Sequence, residues 1–314
     1  MKPIVPFVHN LTGPLVAEWT QALQRAAPTL DIRAFGALSE AERETVKVAI
    51  VANPDPANLL EFPNLAWVQS LWAGVDRLIH EMPGENVRIA RLVDPQLADT
   101  MAEAVLAWSL FLHRDMPRYA AQQAEKQWRQ HRLPTPSERC IGVLGLGHLG
   151  QKSLRRLQQN DFNVIGWSRS PKSISEVTTF HGTEGLKKLT ALVDILVVLL
   201  PLTPQTRGLL DEDLFSSLKK GAALINFARG DIIDGSALLG ALDTGKVDHA
   251  VLDVFPVEPL PGDDLFWTHP KVTVLPHISA PTNMTTASSI VAENLGTFFS
   301  TGQMPETVSR KAGY

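Results

Sequence analysis

Cysteine is nearly absent: Cys140 stands alone in a chain of 314 residues. A disulfide within the chain is therefore impossible, and a cysteine-built zinc cage is excluded; no metal site is expected. Long hydrophobic runs are missing too. The longest, Ile195 to Leu200, is far too short to span a bilayer. There is no excess of charge of one sign. The 29 Lys and Arg against 33 Asp and Glu leave a net charge of −4, which offers no bulk attraction to nucleic acid or to a membrane surface. Met1 to Asn10 holds one lysine and two prolines but no long apolar stretch and no small-residue cleavage site of the kind a signal peptide carries. Internal repeats and low-complexity tracts are also lacking. Together these absences point to a cytoplasmic globular protein.

What is present fits an α/β protein of two domains. The length exceeds what one hydrophobic core usually serves, and 44% hydrophobic with 20% charged residues is ordinary globular composition. In the first hundred residues, short apolar runs at Ile4 to Val8, Val48 to Val51, Ala66 to Leu71 and Val87 to Arg91 read as strands. Pro6 favours an edge position for the first of them. Leu15 to Ala26 reads as a helix stopped by Pro28. Thr100 and Glu103 have capping-box spacing, so a helix is expected to start near Thr100 and run, apolar almost all round, to His113. Gln122 to Glu138 is polar and reads as a solvated connection.

From Cys140 onward the pattern sharpens. Ile141 to Leu144, Asn163 to Trp167, Asp194 to Leu200, Ala222 to Asn226, His249 to Leu252 and Val272 to Leu275 are continuous apolar runs, as strands buried on both faces of a parallel sheet require. Helical segments lie between them, at Leu149 to Gln159, Asp213 to Leu218 and Ser236 to Leu242. The expected fold is a doubly wound Rossmann domain over residues 100–281. A smaller discontinuous α/β domain is expected from residues 1–99 and 282–314, with the last helix, Thr286 to Phe299, crossing back to it.

Gly145-Leu146-Gly147-His148-Leu149-Gly150 is G-x-G-x-x-G between a strand and a helix. In that context it reads as a dinucleotide-binding turn, with a tight βα turn that holds no ligand as the plain alternative. Gly145 permits the turn, Gly147 lets the backbone approach a pyrophosphate, and Gly150 lets the helix pack on the strand. The next strand ends Trp167-Ser168-Arg169-Ser170, followed by Lys172. Ser168 stands where an NAD site usually places the acid that accepts from the ribose hydroxyls. The missing acid and the two cations favour a 2′-phosphate, hence NADP(H) over NAD(H).

Arg229, Glu258 and His277 each lie just past the end of a predicted strand. Carboxyl ends of strands in such a sheet line one crevice, so the three are expected to converge. Reducing a ketone by hydride needs a proton donor, which an imidazole supplies near neutral pH. A carboxylate on its other nitrogen would hold the tautomer and favour the charged form, and a guanidinium forks onto a keto acid. Singly, each residue has an ordinary structural explanation. His269, between Thr268 and Pro270, reads as structural.

Ala228-Arg229-Gly230, Leu252-Asp253-Val254-Phe255 with Glu258-Pro259, and Pro276-His277-Ile278-Ser279 resemble the catalytic blocks of the D-isomer-specific 2-hydroxyacid dehydrogenases. Trp167-Ser168-Arg169-Ser170, Pro259-Leu260-Pro261 and the ending Arg310-Lys311-Ala312-Gly313-Tyr314 are similar to its glyoxylate/hydroxypyruvate reductase A branch. The resemblance implies that Arg229 binds the substrate, that His277 is the general acid and that Glu258 orients it. It further implies that Asp253 holds the nicotinamide carboxamide, and that Leu200, Pro201, Phe227 and Ala228 line the cofactor. The backbone N–H groups of Ala73 and Gly74, in Trp72-Ala73-Gly74-Val75-Asp76, would bind the substrate carboxylate. Trp72 would either narrow the pocket or only pack. A homodimer, with the helix from Thr100 as hinge and interface, is implied in the same way. The expected reaction is reduction of glyoxylate or hydroxypyruvate. A bulkier keto acid such as phenylpyruvate, or a non-catalytic dinucleotide sensor, are the alternatives.

Overall fold

The computed structural model describes residues 2–82, 86–310 and 313; Lys311, Ala312 and Tyr314 of the closing segment lie outside them. The chain divides into two compact units, residues 1–96 with 282–314, and residues 97–281. The division falls inside the first turn of one helix, and each unit is built on its own parallel sheet.

In the first unit the strands are β1 (Ile4–His9), β2 (Asp31–Ala34), β3 (Val48–Ala52), β4 (Trp67–Ser70) and β5 (Arg88–Ala90). They form a five-stranded sheet in the order β2-β1-β3-β4-β5, a flavodoxin-like arrangement. Alternation sorts the side chains to two faces. Val5, Phe7, Val48 and Ile50 meet Trp19 and Leu23 of α1 (Pro14–Ala26), while Val8, Ala49, Val51 and Ile89 share the other core with Leu78 of α3 (Asp76–Glu81). A short α2 (Glu40–Arg43) lies between them in sequence.

One expectation for this unit fails, and one strand had no expectation. β1 is an interior strand, although Pro6 lacks an N–H. It is tolerated because the β3 ladder begins only at Phe7, so Pro6 is passed by the β2 pairing alone. β2 was not anticipated, since Asp31-Ile32-Arg33-Ala34 has a single large apolar residue.

The long helix α4 (Pro95–His113) starts five residues earlier than the Thr100 capping box implied. Asp94 Oδ1 accepts from Gln96 N at 2.8 Å, and Pro95 takes the first helical position, where its missing N–H costs nothing. Burial is also one-sided rather than all round: Met101, Val105, Ser109 and Leu112 are buried, whereas Glu103, Ala107 and Leu110 are exposed. The connection that follows is partly ordered. It contains α5 (Met116–Ala124), and Gln122 Nε2 donates to the Arg129 carbonyl at 3.0 Å.

The second unit carries β6 (Cys140–Leu144), α6 (His148–Gln158), β7 (Asn163–Ser168), β8 (Thr178–His181), α7 (Gly182–Thr190), β9 (Ile195–Val198), α8 (Glu212–Ser217), β10 (Ala222–Asn226), α9 (Gly235–Asp243), β11 (Val247–Leu252) and β12 (Val272–Val274). Its seven strands run β12-β11-β10-β9-β6-β7-β8, all parallel, which is the doubly wound Rossmann order with one strand added. Helices α7, α8 and α9 cover one face, and α4 with α6 the other. The chain returns through α10 (Met284–Thr301), whose Ala287, Val291 and Leu295 complete the core of the first unit. Asn283 caps that helix by accepting from Thr285 and Thr286 N–H. Among the described residues no helix is long and apolar enough to cross a membrane.

Candidate active site

The sheet order reverses between β6 and β9, and the glycine turn sits at that switch point. Gly145 has φ 106°, a left-handed conformation closed to ordinary side chains, and donates to Trp167 O at 2.9 Å. A Cβ on Gly145 would stand 2.6 Å from the Leu199 carbonyl oxygen, and one on Gly150 only 1.8 Å from the Gly145 oxygen. The turn can close only without those side chains. Gly147 differs: its φ is ordinary and a Cβ there would meet nothing in the protein. Neither strain nor internal packing calls for a glycine at Gly147. A ligand approaching the backbone does, so the residues fit a pyrophosphate over the first turn of α6. No side chain caps that helix, which leaves the first N–H groups, beginning at His148 and Leu149, and the positive dipole end for an anion.

At the end of β7, Ser168 is buried and its Oγ donates to Ser170 O at 2.8 Å, closing the loop on itself. Arg169 and Ser170 are exposed. Lys172 reaches back to donate to the Leu146 carbonyl at 2.9 Å, tying its loop to the glycine turn. Leu200 and Pro201 follow β9, and Phe227 and Ala228 follow β10.

At the far end of the same edge, His277 Nδ1 lies 2.8 Å from Glu258 Oε2. The other Glu258 oxygen accepts from Phe255 N at 2.9 Å, so the carboxylate is fixed from two sides. Burial pushes the Glu258 carboxyl up, but its bonds to His277 and to the Phe255 N–H, with the charges of His277 and Arg229, bring it net below the usual range. The partner shift is consistent: the bond to Glu258 holds the His277 imidazolium to a higher pH than an ordinary histidine, against burial and the opposing charge of Arg229. An ionised Glu258 on Nδ1 puts a proton on that nitrogen and leaves Nε2 for a substrate. The backbone of His277 has φ 55°, a left-handed conformation costly for a residue with a Cβ. Arg229 Nη1 donates to Ala228 O at 2.6 Å.

Asp253 Oδ1 accepts from Ile278 N at 2.7 Å and Oδ2 from Ser279 N at 2.9 Å, which ties the acid to the turn after His277. His269 behaves as a structural histidine, accepting from Lys271 N at 3.2 Å with Asp243 at 3.4 Å. In the first unit, Trp72 packs edge-on against Trp19 at 5.8 Å and lies partly buried against that unit's core, with its indole Nε1 buried and without a hydrogen bond among the described residues. Neither Ala73 nor Gly74 uses its N–H in a hydrogen bond of the described residues.

The profile of the D-isomer specific 2-hydroxyacid dehydrogenase, NAD binding domain, matches residues 106–279. The chain belongs to this family. Among curated relatives of this dehydrogenase, a glyoxylate/hydroxypyruvate reductase A from Yersinia enterocolitica is 37% identical over 284 residues, 88% of this chain and 90% of the relative. Two solved structures superpose over the whole of both chains. A D-isomer specific 2-hydroxyacid dehydrogenase from Xanthobacter autotrophicus Py2, in complex with NADPH and MES, gives a TM-score of 0.92 at 37% identity. An NADPH-dependent glyoxylate/hydroxypyruvate reductase from Sinorhizobium meliloti, in complex with NADP and sulfate, gives 0.90 at 31%.

The sequence had pointed to the glycine turn and to the His277–Glu258 pair of this dehydrogenase. It had also singled out Asp253, but not Asn226, the buried polar residue at the end of β10. Asn226 was legible only as the last residue of an apolar strand; a lone polar residue ending such a run was the available signal.

Proposed function

We propose that this dehydrogenase reduces a small 2-keto acid, glyoxylate or hydroxypyruvate, to the 2-hydroxy acid with NADPH. The observation that carries the reading is the 2.8 Å pairing of His277 with Glu258 at the same sheet edge as the glycine turn. When bound, the nicotinamide supplies hydride to the keto carbon. His277 Nε2 gives the proton to the developing alkoxide. Glu258 keeps the imidazole charged and oriented, and Arg229 binds the keto acid and draws charge onto its oxygen. Gly145, Gly147 and Gly150, with the amides of His148 and Leu149, take the pyrophosphate; Ser168, Arg169, Ser170 and Lys172 take the 2′-phosphate; Leu200, Pro201, Phe227 and Ala228 line the dinucleotide. The first unit is assigned the substrate, through the Ala73 and Gly74 amides beside Trp72, and the second the dinucleotide.

The same reading makes the protein a cytoplasmic homodimer. Trp128, 97% exposed, lies near the exposed apolar residues Met116, Tyr119 and Leu133 in sequence, the kind of surface a second copy would cover. Light scattering on the purified protein checks this, with a monomer overturning it. The activity is tested by following NADPH oxidation with glyoxylate, hydroxypyruvate, pyruvate and phenylpyruvate, repeated with NADH. Highest kcat/KM for glyoxylate or hydroxypyruvate with NADPH is expected. Preference for phenylpyruvate or for NADH, or no turnover of any of the four, overturns it.

A further inference from the structure

We propose that Gln151 and Lys172 are positioning residues for the pyrophosphate of the dinucleotide: both side chains converge on the Leu146 carbonyl and so aim the Gly147 N–H, and through Lys172 the loop that reads the 2′-phosphate is locked to the turn that holds the pyrophosphate. Both roles rest on the reading of the glycine turn as the pyrophosphate site. Lys172 keeps its part in holding the 2′-phosphate as well.

Leu146 is the one large residue between Gly145 and Gly147, and it is held at both ends. Its side chain is 1% exposed. It fills the space above Gly166 of β7, where a Cβ would stand 2.6 Å from Leu146 Cδ2. Its carbonyl accepts twice: from Gln151 Nε2 at 3.0 Å and from Lys172 Nζ at 2.9 Å. A carbonyl oxygen has two lone pairs, so both are used. Gln151 also donates its backbone N–H to the Gly147 carbonyl at 3.0 Å. One residue of α6 thus takes two successive carbonyls of the glycine turn.

The consequence falls on the amide. In a planar trans peptide, the C=O of one residue and the N–H of the next point in opposite directions. With the Leu146 oxygen held by Gln151 and Lys172, the Gly147 N–H points away from both. Gly147 is exposed, and a Cβ there would meet nothing in the protein. The Gly147 N–H therefore joins those of His148 and Leu149 as donors for an anion at the start of α6. A cation on the carbonyl oxygen also polarises the peptide, which strengthens its N–H as a donor.

Lys172 is anchored to do this. Its own carbonyl accepts from Thr179 Oγ1 of β8 at 2.6 Å, and the start of its loop is closed by the Ser168 bond to Ser170 O. An ammonium has three donors, so one bond to Leu146 leaves two for a phosphate. The same side chain then serves both phosphate sites, directly at the 2′-phosphate and through Leu146 at the pyrophosphate.

The test uses two variants of the full chain that keep side-chain length but lose the donor, Gln151→Met and Lys172→Met. Dissociation constants for NADPH and NADH are read from the fluorescence of the reduced nicotinamide. NADH has no 2′-phosphate, so a loss of NADH affinity reports on the turn. Q151M should weaken both dinucleotides by the same factor, about three- to tenfold, the range for one net hydrogen bond. K172M should weaken NADH by a similar factor and NADPH by more. In apo protein labelled with 15N-glycine, the Gly147 amide resonance, assigned with a Gly147→Ala sample, should shift in both variants.

Unchanged NADH affinity in K172M overturns the link, because Lys172 would then read the 2′-phosphate alone. So does an NADH loss that disappears in about 1 M salt, where screening acts within about 3 Å, since that marks a charge acting at a distance. Wild-type affinities in Q151M, or a Gly147 resonance that stays in place, overturn the positioning role. If Q151M does not fold, Gln151→Ala replaces it, alanine being the best helix former. For K172M the replacement is Lys172→Gln. None of these readouts needs turnover, so failure to reduce any keto acid would sink the proposed activity and leave this result standing.

Discussion

The carboxyl edge of the seven-stranded sheet uses opposite means at its two ends. Beside β6 and β7 the structure is made by missing side chains: Gly145 in a left-handed turn, Gly150 against the Gly145 oxygen, and uncapped amides at the start of α6. Beside β10, β11 and β12 it is made by side chains held down from below, with a non-glycine residue, His277, in the left-handed region. The difference follows from the task. A phosphate is recognised by charge and N–H direction, which backbone supplies once nothing blocks it. A proton must leave from one atom at one angle, which needs a side chain whose backbone is fixed.

Removing the proton donor should have the largest effect on this contrast. His277→Gln is expected to lower kcat by a factor on the order of a hundred or more, with NADPH binding retained; near-normal turnover would break the catalytic half. Next come the glycines. Gly150→Ala would put a Cβ 1.8 Å from the Gly145 carbonyl oxygen, and overpacking of this kind costs about 1–3 kcal/mol, visible as a lower Tm together with weaker NADPH binding. Gly147→Ala should leave Tm unchanged and weaken NADPH binding alone. If both variants behave alike, the distinction between packing glycine and ligand glycine fails.

Arg169→Ala should cut the NADPH-over-NADH ratio of kcat/KM by about tenfold, the loss expected for one charge-assisted hydrogen bond. A weaker pH effect is expected from Glu258→Gln. Because the bond to Glu258 raises the His277 pKa, the proton-donating form persists as pH rises. Neutralising Glu258 should move the fall of kcat to lower pH, and a fall displaced upward would contradict the pairing.

At neutral pH the smallest effect should come from His249, the buried histidine of β11. Burial pushes its pKa down to about 4 from the ordinary 6.5. The unfolded chain binds that proton first, so stability is full above pH 6.5 and is lost as pH falls toward 4. The loss amounts to at most about 3 kcal/mol. His249→Gln should flatten that acid limb in urea titrations while leaving stability near pH 7 little changed; a limb as steep as in the wild type would remove His249 as its cause.

Much of this was legible because both sheets are parallel and buried. Their central strands read as unbroken apolar runs, and Ala222 to Asn226 matched β10 at both ends. The glycine motif was legible because its chemistry is local to six residues. Elements with mixed patterns were not: β2, β8 and α7 carry too little apolar contrast, and Pro95 with Asp94 outweighed the Thr100–Glu103 spacing as a helix start.

The sequence by itself determined the alternating α/β architecture and the dinucleotide turn, and singled out the groups proposed to react, since periodicity, glycine spacing and titratable side chains are properties of neighbours along the chain. Tertiary structure alone decided that Trp72 packs on Trp19 and that Asp253 is tied to the turn after His277. Those facts depend on which backbone amides are left without a ladder partner once strands far apart in sequence have paired, and no stretch of the sequence states that.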